Sequence, residues 1–62
     1  MQEQLTKLME EADTIFTSIK EDATKFAEKG NKTAGTRVRT GSMDLTKKLK
    51  EIRTKVSEIK NS

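Results

Sequence analysis

Apolar side chains recur at Leu5, Leu8, Ala12, Ile15, Ile19 and Phe26, in steps of three and four that place them on one face of a helix spanning roughly the first 28 residues. Asp22 interrupts this stripe. Met9, Phe16 and Ala23 form a second row beside it at seven-residue intervals, so the apolar face is wider than one partner helix can cover. The simpler alternative is that Met9 and Phe16 only close the edge of a single seam. The second half repeats the pattern at Val38, Ser42, Leu45, Leu49, Ile52, Val56 and Ile59, again in fours and threes, and predicts a second helix.

Between the two stripes stands Lys29-Gly30-Asn31, which has the chemistry of a reversal. Gly30 suits the left-handed position that ends a helix, and Asn31 can cap the start of the next. The expected organisation is therefore one domain over residues 1–62, with helix 1 at about 2–28, a turn at about 29–31 and helix 2 at about 32–60. Residues equidistant from such a turn face each other. Phe26 then meets Gly35, Ile19 meets Ser42 and Ala12 meets Leu49, large against small as interdigitated packing requires, while Ala23 with Val38 and Phe16 with Leu45 fill the layers between. A competing reading begins helix 2 at Ser42 and leaves a basic loop before it, because Gly35 and Gly41 each cost about 1 kcal/mol relative to Ala inside a helix. The size alternation favours the continuous helix.

Composition reinforces the helical reading, with no Pro, only three Gly and many Lys, Glu, Leu, Ile and Ala. The predicted fold class is all-α, an antiparallel helical hairpin of two long helices, each about 40 Å long at ~1.5 Å per residue. At 62 residues a single core is marginal, and neither Cys nor His is present to supply a disulfide or a zinc site. Association is the remaining source of stability. A dimer of hairpins forming a four-helix bundle is expected, with Leu8, Met9, Phe16, Ala23, Leu45 and Ile52 at the interface between copies. The relative direction of the two hairpins stays open.

The net charge of +3 hides a division between the halves. Residues 1–28 carry three Lys against seven carboxylates, a net of −4; residues 29–62 carry ten Lys or Arg against three carboxylates, a net of +7. Part of this difference is expected to steer the acidic helix onto the basic one through exposed ion pairs, each contributing up to about 1 kcal/mol. The basic stretch undiluted by carboxylates is Lys29, Lys32, Arg37 and Arg39, with no acidic residue between positions 29 and 43. It lies around the start of helix 2, where backbone amides and the positive end of the helix dipole also attract anions. Thr33, Thr36 and Thr40 add hydroxyl donors, and Lys47, Lys48, Lys50, Arg53, Lys55 and Lys60 extend the positive potential. Phosphate is the natural partner; the bland reading is a solvated lysine-rich face.

Several functions have no residues to carry them. Without His or Cys, a nucleophile would need a Lys or carboxylate base in a pocket that a hairpin barely provides, so an enzyme, a metal site, a cofactor and a small-molecule substrate are all not expected. With Phe16 and Phe26 as the only aromatic residues, stacking platforms for single strands are lacking. No stretch approaches the roughly 20 apolar residues of a membrane span, and a soluble, cytoplasmic chain is expected.

At the bend, Gly30-Asn31-Lys32-Thr33-Ala34, continuing through Arg37-Val38-Arg39-Thr40-Gly41-Ser42, resembles the chlamydial linker-histone-like nucleoproteins and their short relatives in other bacteria. The family also places an amphipathic helix before this segment and a Lys-rich helix after it. The resemblance implies a nucleoid-associated protein that compacts double-stranded DNA, with Lys32, Arg37 and Arg39 at the matching basic positions. This sequence ends at Lys60-Asn61-Ser62 without the long Lys- and Ala-rich tail of the chlamydial form, so affinity is expected to depend on multivalency through oligomerisation. The candidate DNA-binding set is Lys29, Lys32, Thr33, Arg37, Arg39, Thr40, Lys47 and Lys48, acting on phosphates without strong sequence preference, with the arginines as candidates for minor-groove entry. A protein-interaction module anchored by Met9, Phe16 and Leu45 and indifferent to DNA is the competing function. Binding of helix 2 to anionic membranes is disfavoured by the acidic helix beside it.

Overall fold

Uninterrupted helix-forming sequence carries α1 from Gln2 to Lys29, and the helix stops where Gly30 turns left-handed at φ 63°. A side chain would be strained there, and glycine is not. The Gly30 amide donates back to the Phe26 carbonyl at 3.0 Å, closing the last turn in the αL manner. One residue later, Asn31 starts α2 (Lys32–Asn61): its Oδ1 accepts from the Ala34 amide at 3.1 Å and its carbonyl from the Gly35 amide at 3.2 Å. The computed structural model describes residues 2–61, and the two helices lie antiparallel in a rod with extents of 49 × 15 × 11 Å. Helix 2 is continuous through Gly35 and Gly41, so the alternative start at Ser42 is set aside.

The seam is narrow and built on small side chains. Ala12 and Ala34 are its only buried residues among those described, at 8% and 0% exposure. Around them Leu5, Leu8, Ile15, Ile19, Asp22 and Ala23 of α1, and Val38, Gly41, Leu45, Lys48, Ile52, Lys55 and Ile59 of α2, are half-buried. Phe26 lies with its ring against Gly35, where an added Cβ would come within 2.8 Å of Cδ1. That pairing is the one the sequence predicts.

The other half of the α2 stripe is corrected. Val38, Leu45, Ile52 and Ile59 do face α1, but Ser42, Leu49 and Val56 do not share the seam with them; Leu49 is 52% and Val56 38% exposed. Their places are taken by Ala34, Gly41, Lys48 and Lys55, one step round the helix on the other side. Ile19 accordingly packs on Gly41 instead of Ser42, whose hydroxyl turns back to donate to the Val38 carbonyl at 2.7 Å. Two causes favour this rotation. Ala34 and Gly41 let the backbones approach near the turn, and the lysine stems supply apolar cover further along while their ammonium groups reach carboxylates. Leu8, Ala23, Leu45 and Ile52, expected between copies, are half-buried within the hairpin itself, whereas Met9 and Phe16 stand 53% and 47% exposed.

Candidate nucleic-acid interface

The bend gathers cations because of how each helix end is capped. Lys29 closes the last turn of α1 and Lys32 opens α2, whose first turn contains no acidic residue. Asn31 occupies the Ala34 amide, leaving the amides of Lys32 and Thr33 at the open end of the helix, where the dipole is positive. Lys29, Lys32 and Thr33 are all exposed. Anions meet charge and backbone donors in one place.

One turn further on, the two arginines diverge, because neighbours two apart on a helix lie on nearly opposite sides. Arg39 shares a shallow groove with Phe26, Lys32, Gly35 and Thr36. Arg37 points to the other side, its Nη1 4.0 Å from Asp22 Oδ1, with 61% of its side chain exposed. Such a pair is loose and solvent-screened, so Arg37 remains available to a phosphate. The two therefore flank the hairpin and do not form one minor-groove wedge. Thr33, Thr40 and Lys47 follow at seven-residue spacing along the back of α2, all exposed.

Lys48 is placed differently from the rest of the candidate set. Its side chain is only 23% exposed and its Nζ lies 3.1 Å from Glu11 Oε1 across the seam and 3.1 Å from Glu51 Oε2. The hydrogen bond to Glu11, then that to Glu51, raises its pKa above the ordinary lysine value. Lys55 is held likewise by Glu58 at 3.0 Å. Lys48 thus ties the acidic helix to the basic one. Two cations outside the set continue the row of Lys32 and Arg39: Arg53 and Lys60 follow at further multiples of seven, with Thr46 in the intervening place. That spacing was visible in the chain but is hidden by the denser lysines around it.

Among the described residues no group of His, Cys, Asp and Glu could hold a metal ion, and no helix is long and apolar enough to cross a membrane. What the geometry defines is a helical hairpin with cations concentrated at its bend. The chain matches the family described as histone H1-like protein Hc1 over residues 3–62, and it belongs to that family. The family is one of histone-like, DNA-packaging nucleoid proteins. No individual curated protein and no solved structure matches the chain.

Proposed function

We propose that this protein binds double-stranded DNA through its phosphate backbone, without sequence preference, and compacts the nucleoid as a homodimer of hairpins. The observation that carries the reading is the exposed tip, where Lys29, Lys32, Arg37 and Arg39 surround an α2 N-terminus whose first turn holds no carboxylate. Membership of a histone-like family supports it. Thr33, Thr40 and Lys47 add contacts along the back of α2. Lys48, engaged by Glu11 and Glu51, contributes long-range potential only. The tip offers no polar, base-reading set on a groove-filling helix, so affinity follows counterion release and not sequence. Because few cations act per chain, two copies on one DNA gain from effective concentration.

Titration of unrelated duplexes at several salt concentrations tests this. Replacing Lys32, Arg37 and Arg39 with Ala should weaken binding to every sequence alike and flatten the slope of log K against log salt by roughly 2 to 3, about 0.9 for each lost phosphate contact. Unchanged affinity and slope would refute the assignment of the tip, and sequence-dependent losses would refute the lack of preference.

A further inference from the structure

The rotation of α2 leaves one side of the hairpin apolar and uncovered. Met9 and Phe16 lie beyond the Leu5, Ala12, Ile19 and Phe26 row of α1, and Leu49 and Val56 continue the row that Gly35 begins on α2. The ring of Phe26 on Gly35 joins these rows across the seam, while Leu8 and Ile15 share the opposite side with Glu51. All four outer residues are 38–53% exposed. They form one continuous strip.

The borders of the strip differ in charge. The α1 edge is mixed, holding Asp13 and also Lys20, whose Nζ lies 5.3 Å from the Phe16 ring centroid, with Glu3 and Glu10 one column further round; the α2 edge carries Lys32, Arg39, Arg53 and Lys60 and no carboxylate, with Arg39 bordering Phe26 and Arg53 bordering Leu49 in shallow depressions. Two copies that cover this strip face to face are related by a twofold axis lying either across the helices or along them. An axis across them lays α1 on α1 and α2 on α2, so that the wholly cationic α2 edges meet each other. An axis along them lays each α1 on the α2 of the other copy, so the cationic edge twice meets the side that holds Glu3, Glu10 and Asp13. Like charges brought together at an interface are penalised and opposite ones select the register.

Resting on the dimer proposed above, we infer that a second copy covers this strip with both turns at the same end of the bundle. The two basic tips then form a single platform, and the DNA site is complete only when both copies contribute. Such a dimer presents all its tip cations to one stretch of duplex. It does not carry a tip at each end with which to bridge two duplexes.

The absence of Cys makes a single-cysteine distance measurement direct. A spin label on Glu28→Cys, exposed beside the turn, should report an intermolecular distance of about 20–35 Å by pulsed dipolar spectroscopy, two to three helix spacings of ~8–10 Å plus the label arms. Turns at opposite ends would place the labels close to the 49 Å length of the hairpin apart. The long distance, both distances together, or no intermolecular signal would overturn the inference. A second test needs no label. Glu10→Lys with Asp13→Lys should weaken self-association about tenfold or more, the equivalent of ~1.4 kcal/mol, and adding Arg53→Glu with Lys60→Glu should restore it. No restoration, with circular dichroism showing helix retained, would overturn the inference. Both measurements are made without DNA, so they fail independently of the DNA-binding assignment.

Discussion

Gly35 and Gly41 both face α1, yet alanine should affect them differently. In a helix interior Gly→Ala gains about 1 kcal/mol from reduced freedom of the unfolded chain. At Gly35 the new methyl would stand 2.8 and 2.9 Å from Cδ1 and Cε1 of Phe26, the outer part of a ring that is 50% exposed and can swing toward solvent. At Gly41 it would stand 2.8 Å from Cγ1 of Ile19, an atom bonded directly to Cβ of a half-buried, β-branched side chain with one strongly preferred helical rotamer. Relief there requires an off-rotamer Ile19 or a wider seam, at about 1–3 kcal/mol. Gly35→Ala is therefore expected near neutral or stabilising, and Gly41→Ala about 1–2 kcal/mol less stable than it. For a domain of this size that is a difference of roughly 4–16 °C in Tm, at about 4–8 °C per kcal/mol. Thermal unfolding at one fixed protein concentration measures it, since self-association of the kind proposed would make Tm concentration-dependent. The contact itself is read by a double-mutant cycle with Ile19→Ala, where a coupling above about 0.5 kcal/mol is expected. Equal stability of the two alanine variants, or no coupling to Ile19, would refute the account of the seam near the turn.

Three further outcomes follow from the turn and the seam. Asn31→Ala removes the acceptor of the Ala34 amide and should cost about 0.5–2 kcal/mol, with Asn31→Asp or Asn31→Ser recovering most of it; chemical denaturation reads the loss. Gly30→Ala places a side chain at φ 63° and should cost about 1–2 kcal/mol, Gly30→Asn less, since asparagine tolerates the left-handed region. Lys48 has its pKa raised in the folded state, so its contribution to stability is fully present below the ordinary lysine pKa of 10.5 and is lost as pH climbs through the higher folded value. Lys48 should accordingly give Tm no pH dependence near neutrality, where its contribution is complete, and should make Tm fall in alkali above pH 10.5. Lys48→Met, which keeps the stem over the seam, should remove that share of the alkaline fall; an unchanged profile in the variant would show that the pairing with Glu11 and Glu51 has no energetic weight.

The fold was legible because its signals are local and agree with one another. Three-four periodicity set the helices, Gly30 and Asn31 marked where one had to end and the next begin, and the pairing of Phe26 with Gly35 followed from counting out from that turn. The rotation of α2 was not legible, for a definite reason. Val38, Leu45, Ile52 and Ile59 belong to both possible stripes, so the choice rests on which neighbouring column completes them. Leu49 and Val56 argue for one column on hydrophobicity. Ala34 and Gly41, small enough for close approach, and Lys48, long enough to reach Glu11 on α1, with the Lys55 stem as apolar cover, argue for the other through geometry that a hydrophobic pattern does not register. The same blindness placed Lys48 among the DNA-binding candidates: Glu51 stands three residues on in the sequence, but Glu11 reaches Lys48 only through the register of the two helices.

That placement changes what the charge division means for DNA. Of the ten cations after residue 28, Lys48 and Lys55 are held in the seam by Glu11, Glu51 and Glu58, which lowers the effective charge of the middle and far end of α2 and uses an acidic residue of α1 to do so. Lys29, Lys32 and Arg39 have no carboxylate within ion-pair distance among the described residues, and the Arg37 contact is at its outer limit. The field therefore rises toward the turn even though lysines are densest well beyond it. An acidic first helix is consistent with a DNA-binding role on this basis, because its carboxylates neutralise the part of α2 that faces them and, in the dimer inferred above, face the Arg53 and Lys60 end of the second copy's cation row, far from the turn, so that Lys32 and Arg39 at the bend keep their charge. Charge alone would draw the chain to any polyanion; its concentration at one end is what would orient the hairpin on a duplex.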